Sequence, residues 1–145
     1  LDISMIRFFS SVTALALTAS PIMAQEIVVT VTGAEGSAGT IGCRLFAGPR
    51  NFPNGRATAG EQSAARGPDG EACRFKNLAP GTYALVVAAL PEGQEEVTRD
   101  ILGRPKQPWG VSNNVRPAMR APRFQEAAFQ VTAGRVTRLT IKLSR

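Results

Sequence analysis

The chain has 145 residues, a formal net charge of +6 at neutral pH, 43% hydrophobic residues, two cysteines and no histidine. That length suits one hydrophobic core rather than two. Without an imidazole, Ser-His and Cys-His nucleophile pairs and histidine-ligated zinc are excluded, and an aromatic content of 6% argues against a stacking groove for nucleic acid.

The first recognisable element follows Met5, in MIRFFSSVTALALTASPIMA. Arg7 opens an apolar run from Phe8 to Ala19, Pro21 ends it, and Ala24 supplies a small residue at a cut site with Ile22 at the minus-three position. One charge, an apolar run too short to span a bilayer and a small residue at the cut predict a secretory signal peptide over residues 1–24. No cysteine stands at the cut for lipidation and no twin arginine precedes the run, so the expected product is released to the periplasm or beyond. The remainder, residues 25–145, is expected to form a single β-sandwich domain with no transmembrane segment.

Glu26 to Thr32 is β-branched, with Ile27, Val29 and Val31 on one side, and reads as a first strand. After a turn over Gly33 to Gly39, Ile41, Cys43 and Leu45 alternate with Gly42 and Arg44 as a second strand. Gly48 to Gly70 holds five glycines and three prolines without a sustained period, and reads as loop with a short helical turn near Gly60 to Ala65. Cys73 and Phe75 form a third strand, and Pro80-Gly81 is a tight turn. In an oxidising compartment an even cysteine pair reads first as a disulfide, so Cys43 and Cys73 are expected to be bonded. Thr82 to Leu90 is apolar on both faces, as a covered central strand should be. Two further strands are expected over Glu126 to Thr132 and Arg135 to Leu143, joined by a hairpin turn at Ala133-Gly134. Six or seven strands in about 120 residues predict an all-β antiparallel sandwich, transthyretin-like or immunoglobulin-like, with an open barrel as the alternative.

Between the central strand and the last hairpin, Pro91 to Arg123 carries five prolines and a concentration of positive charge: Arg99, Arg104, Lys106, Arg116, Arg120 and Arg123. Connections this long are usually functional or disordered. Trp109 is the only tryptophan, followed by Ser112, Asn113 and Asn114. Lys106, Trp109, Ser112, Asn113, Asn114 and Arg116 are therefore the candidate binding residues, because an indole flanked by amides and guanidinium groups suits a sugar ring or an anionic group. The competing reading has Trp109 capping the core and the asparagines making local turns.

FKNLAPGTYALVVAAL, LGRPKQPWGVSNN and APRFQEAAF together resemble the bacterial secreted family of domain of unknown function 2141. Its members show LPPGTYA, then LGIPKEGYGFSNN, then PSFEDAAF, and the similarity runs from Glu26 to Leu143. The resemblance implies export and a sandwich of the transthyretin-like or carboxypeptidase-regulatory-like type, and it implies no chemistry. The family's His-Asp-x-Asn-Gly-Asn-Gly-x-x-Asp stretch, similar to a calcium loop, falls on Ala89 to Thr98, where this chain reads ALPEGQEEVT. Leu90 and Thr98 replace the two aspartates. With Leu90, Pro91 and Val97 offering no side-chain oxygen, Glu92, Glu95, Glu96 and Asp100 are expected to hold no metal. No cofactor is implied.

The sequence thus favours a non-catalytic module that binds a peptide, glycan or partner protein of the cell envelope through the 91–123 loop. A transthyretin-like hydrolase is disfavoured by the missing histidine and by the KLSR terminus. Paired carboxylates from Glu95 or Glu96 with Asp100 have only proximity to support them. Attraction to an anionic envelope polymer by charge alone is the remaining alternative.

Overall fold

The computed structural model describes residues 16–17, 25–34, 36 and 38–145; apart from Ala16 and Leu17, the expected signal segment lies outside the described residues. Among those residues the strands are Glu26–Thr32 (β1), Thr40–Phe46 (β2), Gly60–Ala65 (β3), Gly70–Lys76 (β4), Gly81–Leu90 (β5), Trp109–Val111 (β6), Phe129–Val131 (β7) and Val136–Lys142 (β8). Phe124–Ala127 makes one helical turn, α1.

Two sheets face each other. One has the order β4-β1-β8, and the other runs β3-β2-β5-β6 with β7 added to β5. Period-two alternation puts Ile27, Val29 and Val31 of β1 opposite Ile41, Cys43 and Leu45 of β2 and Leu85, Val87 and Ala89 of β5, all buried in one core. Each such aliphatic side chain stabilises the fold by about 2 kcal/mol through its removal from water. Cys43 and Cys73 are bonded, S–S 2.01 Å, which joins β2 of one sheet to β4 of the other.

β5 is apolar on both faces because a second cluster lies outside the sandwich. Phe46, Ala84 and Val111 are covered there by Phe124 and Ala127 of α1, with Phe52 packed against them. Phe52 meets Phe46 and Phe124 edge-on at centroid distances of 5.3 and 5.9 Å, the arrangement aromatic quadrupoles favour. α1 covers only one end of this outer face. The other end, with Gly42 and Arg44 of β2 and Val86, Ala88 and Leu90 of β5, is left as the floor of a groove.

The structure corrects five expectations. Gly60–Ala65 is a strand, paired with β2 from Thr40↔Ala65 to Leu45↔Gly60. Its side chains are mostly exposed, so no apolar period marks it. Glu126 to Thr132 is not one strand: α1 ends at Ala127 and β7 occupies only Phe129–Val131, paired with Gly81–Tyr83. Ala133-Gly134 therefore does not close a hairpin, because β7 joins β5 while β8 lies parallel to β1, from Glu26↔Val136 to Thr32↔Lys142. That parallel pair is also the departure from a wholly antiparallel sandwich. Finally, the long segment contributes a strand of its own, since β6 pairs with Val86–Ala88.

Candidate ligand groove

Three segments rise around the uncovered end of the five-stranded sheet. The first, Val97 to Pro105, is a small hairpin with an isolated bridge at Arg99↔Pro105. Asp100 organises its turn: Oδ1 accepts from the N–H groups of Leu102 (2.9 Å) and Arg104 (3.0 Å), and Oδ2 accepts from Arg104 Nε at 2.9 Å. The Arg104 N–H first, and then its guanidinium, hold the Asp100 carboxyl below the usual range. The second segment, Arg116 to Pro122, and the third, with Pro53 and Asn54, line that end as well. Between them lies a groove of about 920 Å³, within the size range of small-molecule sites.

Six arginines border the groove: Arg44, Arg99, Arg104, Arg116, Arg120 and Arg145. Arg44, Arg104 and Arg120 are paired with carboxylates. Arg44 contacts Glu96 at 2.6 Å and Glu61 at 3.2 Å, Arg104 contacts Asp100 at 2.9 Å, and Arg120 contacts Glu126 at 2.6 Å. The hydrogen bond to Glu96 is the main cause of the raised Arg44 pKa. Arg99 and Arg116 are held otherwise. Arg99 donates to Gly103 O at 3.0 Å and Asn54 Oδ1 at 2.7 Å. Arg116 donates to the carbonyls of Trp109 (2.9 Å) and Ser144 (2.6 Å). Burial pushes the Arg116 guanidinium below its ordinary value. Among the described residues, neither charge has a carboxylate ion-pair partner.

Of the six candidate binding residues, the groove brings together only Trp109 and Arg116. Lys106 is exposed outside it, its backbone N–H paired with Thr98 O at 2.9 Å. Ser112 is fully buried; its Oγ accepts from Leu85 N at 3.0 Å and donates to Ala127 O at 2.5 Å. Asn113, in the left-handed region at φ 62, donates from Nδ2 to Glu126 O and Ala128 O, each at 3.0 Å. Asn114 spans to β8, donating to Thr140 O at 3.1 Å and accepting from Lys142 N at 2.9 Å. The run Ser112-Asn113-Asn114 thus ties β6 to β5, α1 and β8. These bonds reach residues far away in sequence and are not local turns.

Sequence reasoning missed the floor and the lips. Gly42 and Ala88 are neighbours across β2 and β5, and their small size on the outward face gives the groove its depth. The signal was present as small residues two apart from Arg44 and Val86. It needed the strand pairing to become a surface. Leu102 and Met119, from two of these segments, are 71% and 96% exposed.

The sequence profile described as Uncharacterized protein conserved in bacteria (DUF2141) matches residues 29–139. The chain belongs to the DUF2141 family. The matched span runs from β1 into β8 and includes every strand that bears on the groove. No curated protein and no solved structure matches the chain. Membership in DUF2141 thus carries no reaction with it. Among the described residues there is no group of three or more His, Cys, Asp or Glu side chains placed to hold a metal ion, and no helix is long and apolar enough to cross a membrane.

Proposed function

We propose that this chain is an exported, non-catalytic binding module, a single domain from residue 25 onward, whose groove takes an extended ligand carrying anionic groups. The observation that carries this reading is the pair Arg99 and Arg116, two guanidinium groups at one groove whose hydrogen bonds go to neutral oxygens. A carboxylate or sulfate entering between them gains charge-assisted bonds without first displacing an internal ion pair. The Trp109 ring holds the Arg116 guanidinium in place, 4.1 Å from its centroid. The disulfide and the lack of a membrane-spanning helix among the described residues agree with a periplasmic or secreted protein.

The test fills the groove without touching its charge. A Cβ on Gly42 would meet only Leu90 Cδ1, at 3.9 Å, so Gly42→Val should fold normally while narrowing the floor. Fluorescence anisotropy with a labelled tetraglutamate peptide and a labelled trigalacturonate should show binding to the wild type by at least one of them. Gly42→Val should weaken it roughly tenfold, about 1.4 kcal/mol. Binding that survives Gly42→Val but vanishes at moderate salt would instead assign the protein to charge-driven polymer adsorption. No binding of either probe would overturn the groove reading for acidic peptides and acidic sugars.

A further inference from the structure

The hairpin that forms one wall of the groove ends in two aliphatic side chains pointed at water. Ile101 is fully exposed and Leu102 is 71% exposed. Their exposure does not come from a loose loop. Asp100 N donates to Arg104 O at 2.9 Å and Gly103 N to Asp100 O at 3.0 Å, closing the turn on both sides. Gly103 supplies the left-handed φ of 78° that the turn requires. The Arg99 side chain ties the hairpin to Asn54 on the neighbouring segment. The turn is thus built to hold an Ile-Leu pair outward. Met119, 96% exposed, borders the same groove as Leu102.

Arg99 and Lys106 flank the turn, and among the described residues neither has a carboxylate partner. Arg104 and Arg120 border the same groove but are paired with Asp100 and Glu126, as Arg44 is with Glu96, which leaves Glu95 as the main charge opposing Arg99 and Lys106. We propose that the Ile101-Leu102 turn and Met119 dock this protein on an anionic lipid surface, the aliphatic side chains entering the acyl boundary and Arg99 and Lys106 meeting headgroup phosphates. Leu102, Met119 and Arg99 also border the proposed ligand groove, so the variants below are chosen to separate the two readings. Three apolar side chains are far too few for a protein interface, which buries about 1,200–2,000 Å². They suffice for shallow insertion when basic residues add attraction to a negative leaflet.

Flotation with vesicles tests this, using the chain as its producing cell leaves it, with its N-terminus fixed by intact mass. The protein should float with phosphatidylglycerol-phosphatidylcholine vesicles and roughly tenfold less with phosphatidylcholine alone. The double variant Ile101→Ser, Leu102→Ser should lose roughly tenfold in partitioning at an unchanged melting temperature. Met119→Ser should lose a smaller part, and Gly42→Val, which fills only the groove floor, should float like the wild type. Absence of flotation, equal flotation on neutral vesicles, or a double variant that floats like the wild type would each overturn the proposal.

Discussion

The Arg116 guanidinium lies 4.1 Å from the centroid of the Trp109 ring and donates to the Trp109 carbonyl as well as to that of Ser144. Trp109 and Ser144 are themselves bridged by backbone, Trp109 N to Ser144 O at 3.0 Å and Ser144 N to Trp109 O at 3.1 Å. This is where β6 of one sheet meets the chain just beyond β8 of the other. One side chain therefore fastens the two sheets along that edge while keeping its charge at the groove.

Arg116→Ala should lower stability by about 2 kcal/mol, from the loss of two charge-assisted hydrogen bonds and a cation-π contact. Arg116→Lys should recover only a part of it, because an ammonium cannot present a planar fork to two carbonyls while stacking on the indole. Adding Asn113→Ala should destabilise further, since Asn113 fastens a different element, α1. Urea unfolding of the three variants decides this; a double variant as stable as wild type would remove the fastening role.

Gly110 allows β6 to approach β8. A Cβ there would come within 2.5 Å of Lys142 O and 2.9 Å of Ile141 Cγ2. Gly110→Ala should therefore cost about 1–3 kcal/mol by overpacking. Thermal melts should reveal the loss, and an unchanged melting temperature would mean that β8 yields without strain.

Bonding Cys43 to Cys73 closes a loop of sequence separation 30 across the two sheets. The chain-entropy relation gives about 3.7 kcal/mol of stabilisation for such a loop. Cys43→Ala with Cys73→Ala should show a loss approaching that figure in denaturant unfolding. The melting temperature of that variant should not respond to reductant.

Acid should weaken the α1 region through Glu126. The Arg120 guanidinium, then the Arg123 N–H, hold its carboxyl at about 2, from an ordinary 4.5. The folded pKa lies below the unfolded one, so between those values the unfolded chain binds more protons and stability rises with pH. The contribution is complete above about pH 4.5 and fades as pH falls toward 2. The melting-temperature gap between wild type and Glu126→Gln should accordingly narrow across that window; a constant gap would show that Glu126 acts by something other than its charge.

Alternation alone located β1, β2, β4 and β8, because each buries one face and the period of two survives in Ile27-Val29-Val31, Cys73-Phe75 and Ile141-Leu143. The double-sided burial of β5 was legible in its apolar run, and the disulfide in the cysteine count. Tertiary structure alone decided the rest. β3 is an edge strand with both faces largely wet, so its sequence carries no period. β6 and β7 are three residues each, too short for periodicity, and exist through their partners on β5. The parallel placement of β8 beside β1 depends on where α1 and β7 send the chain, a non-local choice. The groove has the same origin: Gly42 and Ala88, 46 positions apart in sequence, become one floor only when β2 pairs with β5. Residue chemistry singled out Ser112, Asn113 and Asn114 as polar groups beside a tryptophan. Their positions spent that polarity on neighbouring strands and left the groove to arginines from separate segments.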